Sequence, residues 1–153
     1  METTNEKLIG QLNNLVEINN DRIQGYERAK DDTTDNELKS LFNDMASHSR
    51  TFKEELAAEV RTLGGEPTEG TRNSGKIFRA WMDIKAALTG KKRKEILSSC
   101  ESGEDAALEA YDEVLGGEVV LTDKLRDLVS RQKQEISKDH SRIKMMRDMA
   151  KVE

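Results

Sequence analysis

The chain has 153 residues, a formal net charge of −5, and charged and hydrophobic fractions of 36% and 35%. The negative charge disfavours general nucleic-acid binding, and no apolar run reaches the roughly 20 residues that a transmembrane helix needs. The N-terminus lacks the basic and apolar regions of a signal peptide. The single cysteine, Cys100, excludes an internal disulfide and suits a reducing compartment. We therefore expect a cytoplasmic protein with one domain over residues 1–153.

The first two predicted helices form a hairpin. Helix one runs over residues 5–30, and its apolar face consists of Leu8, Leu12, Leu15, Val16, Ile23 and Tyr26. Helix two begins at a capping box of Thr34 and Glu37 and ends at Gly64 and Gly65. Because the linker has only about five residues, the two helices should be antiparallel neighbours.

A long crossover follows, over about residues 65–91. Its first part is rich in glycine and polar residues, which is typical of a loop. A short helix is predicted over residues 76–89, with an apolar face made of Ile77, Trp81, Ile84 and Leu88. At about 1.5 Å per residue, this helix and its loop can carry the chain along the length of a bundle.

The last two predicted helices form a second hairpin, over residues 92–115 and from the cap at Thr122 to about residue 149. A faint internal repeat relates the hairpins, since aligning Tyr26 with Tyr111 also aligns Asn19 with Glu104. The predicted fold is all-α: a ferritin-like, up-down four-helix bundle with a long crossover containing a short fifth helix.

Each long apolar stripe is interrupted near its middle by a polar residue: Asn19, Ser49, Glu104 and Gln132. Counting residues from the turns places these four within about one turn of a common level. A buried, unpaired polar group costs about 1–3 kcal/mol. A helix bundle built only for stability would therefore not place polar residues at this depth. The middle of such a bundle is also where metal and cofactor sites are built.

Two interpretations of the polar layer remain open. We favour a hydrogen-bonded layer that fixes helix register and holds no cofactor. The alternative is a di-iron-like or mononuclear site for iron, manganese or zinc, with Glu104, His48, Glu55 and His140 as its ligands. A di-iron site needs Glu-x-x-His pairs, and neither histidine has a glutamate three residues before it.

Residues 76–94 are strongly basic and include Phe78 and Trp81. Such a segment could bind a membrane surface or a protein partner. We favour the alternative that Ile77, Trp81 and Leu88 clamp the crossover onto the bundle. Cys100 is expected to be a small core residue rather than a reactive thiolate. The methionines near the C-terminus suit adaptable packing or an oligomer contact.

Several short motifs occur in the order of a known family: Leu12-Asn-Asn-Leu-Val-Glu, Asp21-x-x-x-Gly25-Tyr26, Arg50-x-Phe52-x-x-Glu55-Leu56, Gly64-Gly65-x-Pro67, Arg79-x-Trp81-x-x-x-Lys85, Cys100-Glu-x-Gly-Glu104-Asp105, Tyr111 and His140. The chain resembles the bacterial ferritin-like four-helix-bundle family called domain of unknown function 2383. The resemblance implies a cytoplasmic bundle without an established activity. It draws attention to Asp21, Glu55, Glu104 and His140.

These observations assign no catalytic residue. The leading hypothesis is a non-catalytic binding or assembly protein that could form homo-oligomers, with an unknown protein partner. A stress-related role follows only from analogy with the superfamily that the resemblance implies, which contains metal oxidases and iron stores. The second hypothesis is a metal-dependent oxidase or metal-storage protein with a degenerate site.

Overall fold

The computed structural model describes residues 3–72, 75–90 and 92–150, and it is all-α. The five helices are α1 (Thr4–Asp32), α2 (Asn36–Thr62), α3 (Gly75–Gly90), α4 (Arg93–Leu115) and α5 (Asp123–Met149). The all-α bundle with a short helix in its crossover is therefore confirmed. Every predicted helix lies within a few residues of its observed bounds, and none of the described helices is long and apolar enough to cross a membrane.

Local chemistry sets the ends of the helices. Thr122 caps α5 as predicted, because its hydroxyl accepts a hydrogen bond from the Leu125 amide. The predicted cap of α2 was wrong: Asp35, not Thr34, accepts from the first amides of that helix. Gly64 closes α2 with a φ of 88°, a conformation that side chains disfavour.

The two hairpins are α1 with α2 and α4 with α5. At one end of the bundle, Arg93 in the first turn of α4 contacts Asp35, the cap of α2, with Nη1 2.8 Å from Oδ2. At the other end, Lys124 at the start of α5 pairs with Glu59 near the end of α2. Helices α2 and α4 are thus parallel, and the crossover returns the chain along the bundle as predicted.

Polar side chains of α1 hold the first part of the crossover. Asn13 donates to the Glu66 carbonyl at 3.1 Å and accepts from the Thr68 amide at 3.0 Å. Asn20 donates to the Gly70 carbonyl at 2.8 Å. Further along, Asp21 accepts from the Arg72 amide at 3.1 Å. The loop therefore lies along α1 rather than extending into solvent.

Helix α3 packs against the bundle through the predicted face. Ile77, Ile84 and Leu88 are buried. Trp81 is half-buried and meets the Tyr26 ring edge-on, with 5.0 Å between centroids and 88° between planes. These are the contacts expected if the apolar face of α3 attaches the crossover to the bundle. Lys91, one of the basic residues of this segment, lies outside the described residues.

The apolar core consists of two clusters, one towards each end of the bundle. The first contains Leu15, Leu56 and Tyr111, and the second contains Tyr26, Met45 and Cys100. Along α1, α2 and α4 the first cluster gives way to the second across Asn19, Ser49 and Glu104. Polar residues therefore occupy the space between two hydrophobic cores.

Candidate functional site

Arg22 of α1 lies at the centre of the polar interior. The core face of α1 follows Leu15, Asn19, Arg22 and Tyr26, which recur at helical spacing. Ile23, which the sequence placed on this face, is only half-buried, whereas Arg22 is 2% exposed. The prediction missed Arg22 because an arginine is almost never fully buried unless it is paired. Its position on the Asn19–Tyr26 stripe was the signal that could have revealed it.

The Arg22 guanidinium binds groups from the three other long helices. Its Nε lies 3.0 Å from Glu104 Oε2, and its Nη2 lies 2.5 Å from Glu104 Oε1. Its Nη1 donates to the Ser49 hydroxyl at 2.7 Å, and its Nη2 donates to Asp139 Oδ2 at 3.2 Å. His48 Nδ1 lies 3.0 Å from both Asp139 oxygens. We call these five residues the central network.

The charges of the central network depend on burial. Burial raises the pKa of Glu104 and the nearby Asp139 charge adds to this, while the contact with Arg22 lowers it, so that the net shift is upward. For Arg22, burial is the largest cause and lowers the pKa, but the charges of Glu104, Tyr26 and Asp139 and the hydrogen bond to Glu104 together more than offset it, so the guanidinium stays protonated. The Arg22 cation thus faces two carboxylates that are almost completely shielded from solvent. The Arg22 guanidinium also lies 5.8 Å from the centroid of the Tyr26 ring.

A second group of hydrogen bonds, which we call the tyrosine network, centres on Tyr111 of α4. The Asn19 amide donates to the Tyr111 hydroxyl at 2.9 Å, and this hydroxyl donates to Gln132 Oε1 at 2.6 Å. The Gln132 amide in turn donates to the Phe52 carbonyl and to Glu55 Oε1, both at 3.2 Å. This network also joins all four long helices.

The four predicted residues of the polar layer are all fully buried. They do not share one network, however: Ser49 and Glu104 belong to the central network, and Asn19 and Gln132 to the tyrosine network. On α5 the residue opposite Glu104 is Asp139, seven residues or about 10 Å along the helix from Gln132. The predicted level of Gln132 was therefore off by about two turns.

Two buried polar atoms have no hydrogen-bond partner among the described residues: the Asn19 side-chain oxygen and the Tyr26 hydroxyl. Glu104 lies near Tyr26, and burial together with its charge raises the pKa of Tyr26 well above the ordinary value. Each tyrosine thus lies beside a residue of the other hairpin: Tyr111 of α4 contacts Asn19 of α1, and Tyr26 of α1 lies near Glu104 of α4. This is the pairing that the faint internal repeat suggests.

The four residues of the alternative metal set lie in three places. Glu104 and His48 are part of the central network, where Arg22 and Asp139 separate them. Glu55 binds Arg131 and Gln132, and His140 binds Asp105. Among the described residues, the one group of ligand atoms close enough to hold a metal ion is that of Glu101, Asp105 and His140.

Chemically, the central network is suited to holding helices rather than to binding a metal ion. Both oxygens of Glu104 are engaged by a guanidinium, in the fork geometry that gives strong, directional hydrogen bonds. A metal ion would have to displace that cation. Cys100 supplies no nucleophile either, because burial and the Glu104 charge raise the pKa of its thiol.

The fold and this interior define an all-α bundle protein with an ion-paired polar core. The chain belongs to the family described as a domain of unknown function (DUF2383), whose model matches residues 7–117. The match extends from the first turn of α1 to the end of α4, so α5, with Gln132, Asp139 and His140, lies outside it. Comparison with curated proteins finds no match.

Proposed function

We propose that the protein is a non-catalytic assembly protein that associates with a second copy of itself through a groove between α1 and α3. The observation that carries this proposal is a pair of apolar side chains on the outer side of α3. Phe78 and Met82 are 56% and 48% exposed, one turn apart. Single exposed apolar residues are normal, but a pair beside an apolar groove is typical of an interaction surface.

The groove has the shape to receive such side chains. It has a volume of about 420 Å³ and lies between α1 and α3. Trp81 and Ile84 provide its apolar lining on α3, and Gly25 and Ala29 line it on α1. Phe78 and Met82 lie at its edge. A patch that contains both a protruding ring and a recess can complement itself.

The charges at the rim favour a second copy over an anionic surface. Arg28 and Lys85 are positive, Asp32 is negative, and all three are exposed. None of them forms an ion pair within the described ranges. A twofold interface brings the same patch from both copies together, so both signs on one patch can pair across it. An anionic membrane would attract the basic residues of this segment but leave Asp32 and the nearby exposed Asp83 without a partner.

The interior supports the non-catalytic part of the proposal. Among the described residues the one carboxylate with no exposure, Glu104, is held by Arg22, and the buried Cys100 thiol has a raised pKa. A cytoplasmic location is part of the proposal because the single cysteine suits a reducing compartment, and a bacterial source is part of it by the family resemblance alone. A stress-related role enters by superfamily analogy alone.

The test is the molecular mass in solution, measured by sedimentation velocity over a wide range of protein concentration. We expect a concentration-dependent dimer that Phe78→Glu converts to a monomer, because the change removes the apolar ring from the interface and puts a charged side chain in its place. The matched control is Met145→Glu on α5. Met145 is also a large exposed apolar residue, at 64%, but lies away from the groove. This control should still dimerise.

A wild-type protein that stays monomeric at every concentration would overturn the proposal. So would a dimer that is insensitive to Phe78→Glu, because the contact would then lie on another face. If the wild-type monomer instead sediments with vesicles of anionic lipid, and Phe78→Glu abolishes this, the groove side of α3 is a membrane-binding surface and the assembly proposal fails.

A further inference from the structure

Outside both buried networks, three side chains with metal-ligating atoms converge between α4 and α5. Glu101 and Asp105 are four residues apart on α4 and therefore lie on the same face of that helix. His140 approaches them from α5, with Nε2 2.7 Å from Asp105 Oδ1. One ligand atom from each of the three lies within 4.8 Å of the other two.

The helical geometry separates this cluster from the central network. Asp139 and His140 are successive residues of α5, so their side chains point about 100° apart. Asp139 points inward to Arg22, whereas His140 points sideways to α4. The cluster is open enough for an ion to enter, because Glu101 and His140 are half-buried and Asp105 is exposed.

We propose that Glu101, Asp105 and His140 bind a divalent transition-metal ion, with Zn²⁺ the best match to the donor set. One imidazole nitrogen and two carboxylate oxygens are donors that zinc accepts at about 2.0–2.2 Å. Ligands at that distance in tetrahedral geometry lie about 3.4 Å apart, so Asp105 and His140 must separate slightly from their 2.7 Å contact when the ion binds. Three protein ligands leave further positions for water. This proposal is independent of the proposed assembly function.

Arg147 occupies part of the same site. Its Nη1 lies 2.6 Å from Glu101 Oε2, and its other nitrogens contact Asp148 at 2.9 and 3.2 Å. The guanidinium thus balances one of the two carboxylates, and the ion would replace it at Glu101. Because Arg147 also has Asp148 as a partner, it does not lose all its contacts on release. Arg147 is therefore expected to compete with the metal ion.

The experiment is calorimetric titration of untagged, metal-stripped protein with Zn²⁺. We expect one ion per chain. His140→Gln should weaken binding at least about tenfold, since even the loss of an outer partner of a ligand commonly costs 10- to 100-fold. Arg147→Gln should strengthen binding, because it removes the competing cation. The matched control is His48→Gln, which changes the only other histidine of the chain and should leave the affinity unchanged.

Each unexpected result of the titrations leads to a different conclusion about the proposed zinc site. Absence of stoichiometric binding overturns the proposal, and so does binding that His140→Gln leaves intact. Loss of binding in His48→Gln but not in His140→Gln would place the ion in the bundle interior instead. Weaker binding in Arg147→Gln would also count against the proposed competition. Circular dichroism of each variant shows that it is folded, so a lost site is not mistaken for a lost fold.

Discussion

Arg22 and Glu104 form a two-point ion pair at the centre of the bundle, with Nε 3.0 Å from Oε2 and Nη2 2.5 Å from Oε1. The pair joins α1 of the first hairpin to α4 of the second. Both side chains are almost completely shielded from solvent, at 2% and 0% exposure. In such surroundings the contact is strong, but its desolvation cost is also large. We expect the pair to favour one register between the hairpins, because another register would leave these buried charges unpaired.

Replacing Arg22 by methionine should destabilise the protein by about 3–5 kcal/mol, because Glu104 and Asp139 would remain buried without their cation. Urea unfolding followed by circular dichroism measures this change. The double variant Arg22→Met/Glu104→Leu should recover part of the loss, since it removes both buried charges of the pair. A double variant that is less stable than Arg22→Met alone would contradict this account.

The helices could be predicted from sequence because their signals are local. Apolar spacing, the Thr122 cap and the Gly64 stop each act within a few residues. The cap of α2 was misplaced because Thr34 and Asp35 are both good caps by residue type, and the distant partner of Asp35 could not be seen in the local sequence. Arg93 of α4 binds Asp35 and also Glu37, which leaves Glu37 unable to close a capping box.

The site was harder to predict because it depends on register between helices. Asn19, Ser49, Glu104 and Gln132 were correctly placed inside by their angles, but their levels depend on how the chain turns between α4 and α5. Because the register of α5 was misjudged by about two turns, Gln132 was predicted to lie opposite Glu104, whereas Asp139 occupies that position. Arg22 was missed for a different reason: its burial is favourable only with the two carboxylates that this register supplies.

The hydroxyl groups of the two tyrosines should differ sharply in their contribution to stability. The Tyr111 hydroxyl bridges Asn19 and Gln132, so Tyr111→Phe leaves Gln132 Oε1 and one N–H of the Asn19 amide without a partner, although that amide keeps its bond to the Leu15 carbonyl, and the change should cost about 1–3 kcal/mol. The Tyr26 hydroxyl has no hydrogen-bond partner among the described residues. Its polar neighbour Glu104 keeps both of its contacts with Arg22 when the hydroxyl is removed, so Tyr26→Phe should cost clearly less than Tyr111→Phe. Equal losses in the two variants, measured by chemical denaturation, would show that Tyr26 has a partner of comparable strength.

Both tyrosines should also resist ionisation in the folded protein. Tyr26 and Tyr111 are the only tyrosines, and burial is the main cause that raises the pKa of each above its ordinary value near 10. The unfolded chain therefore releases these protons first, and the free energy of unfolding falls as the pH rises above about 10. This stability is fully present below that pH. The expected loss is up to about 1.4 kcal/mol per pH unit for each tyrosine.

Tyrosinate absorbance measured together with far-ultraviolet circular dichroism tests this expectation. The absorbance should stay flat near pH 10 and rise only where the helical signal is lost. Guanidine-unfolded protein serves as the control, and it should titrate near the ordinary value. Absorbance that rises while the helices remain intact would mean that at least one hydroxyl is open to solvent.

Gly25 of α1 should be essential for the packing of the crossover helix α3 against α1. A Cβ built on Gly25 would lie 2.5 Å from three atoms of the Trp81 ring, closer than packing allows. Gly25→Ala must therefore displace Trp81, and we expect a loss of about 1–3 kcal/mol even though alanine favours the helix by about 1 kcal/mol. Trp81 is the only tryptophan, so its fluorescence should shift towards that of an exposed indole.

Gly10 provides the matched control for that substitution, because it lies on the same helix and a Cβ there has no neighbour within 4 Å. Gly10→Ala should leave the fluorescence unchanged and raise the stability by up to about 1 kcal/mol. The two variants make the same chemical change and have the same helix propensity, so their difference isolates the contact with Trp81. If Gly25→Ala is as stable as Gly10→Ala, the indole does not pack against this backbone and the clamp must depend on Ile77, Ile84 and Leu88 instead.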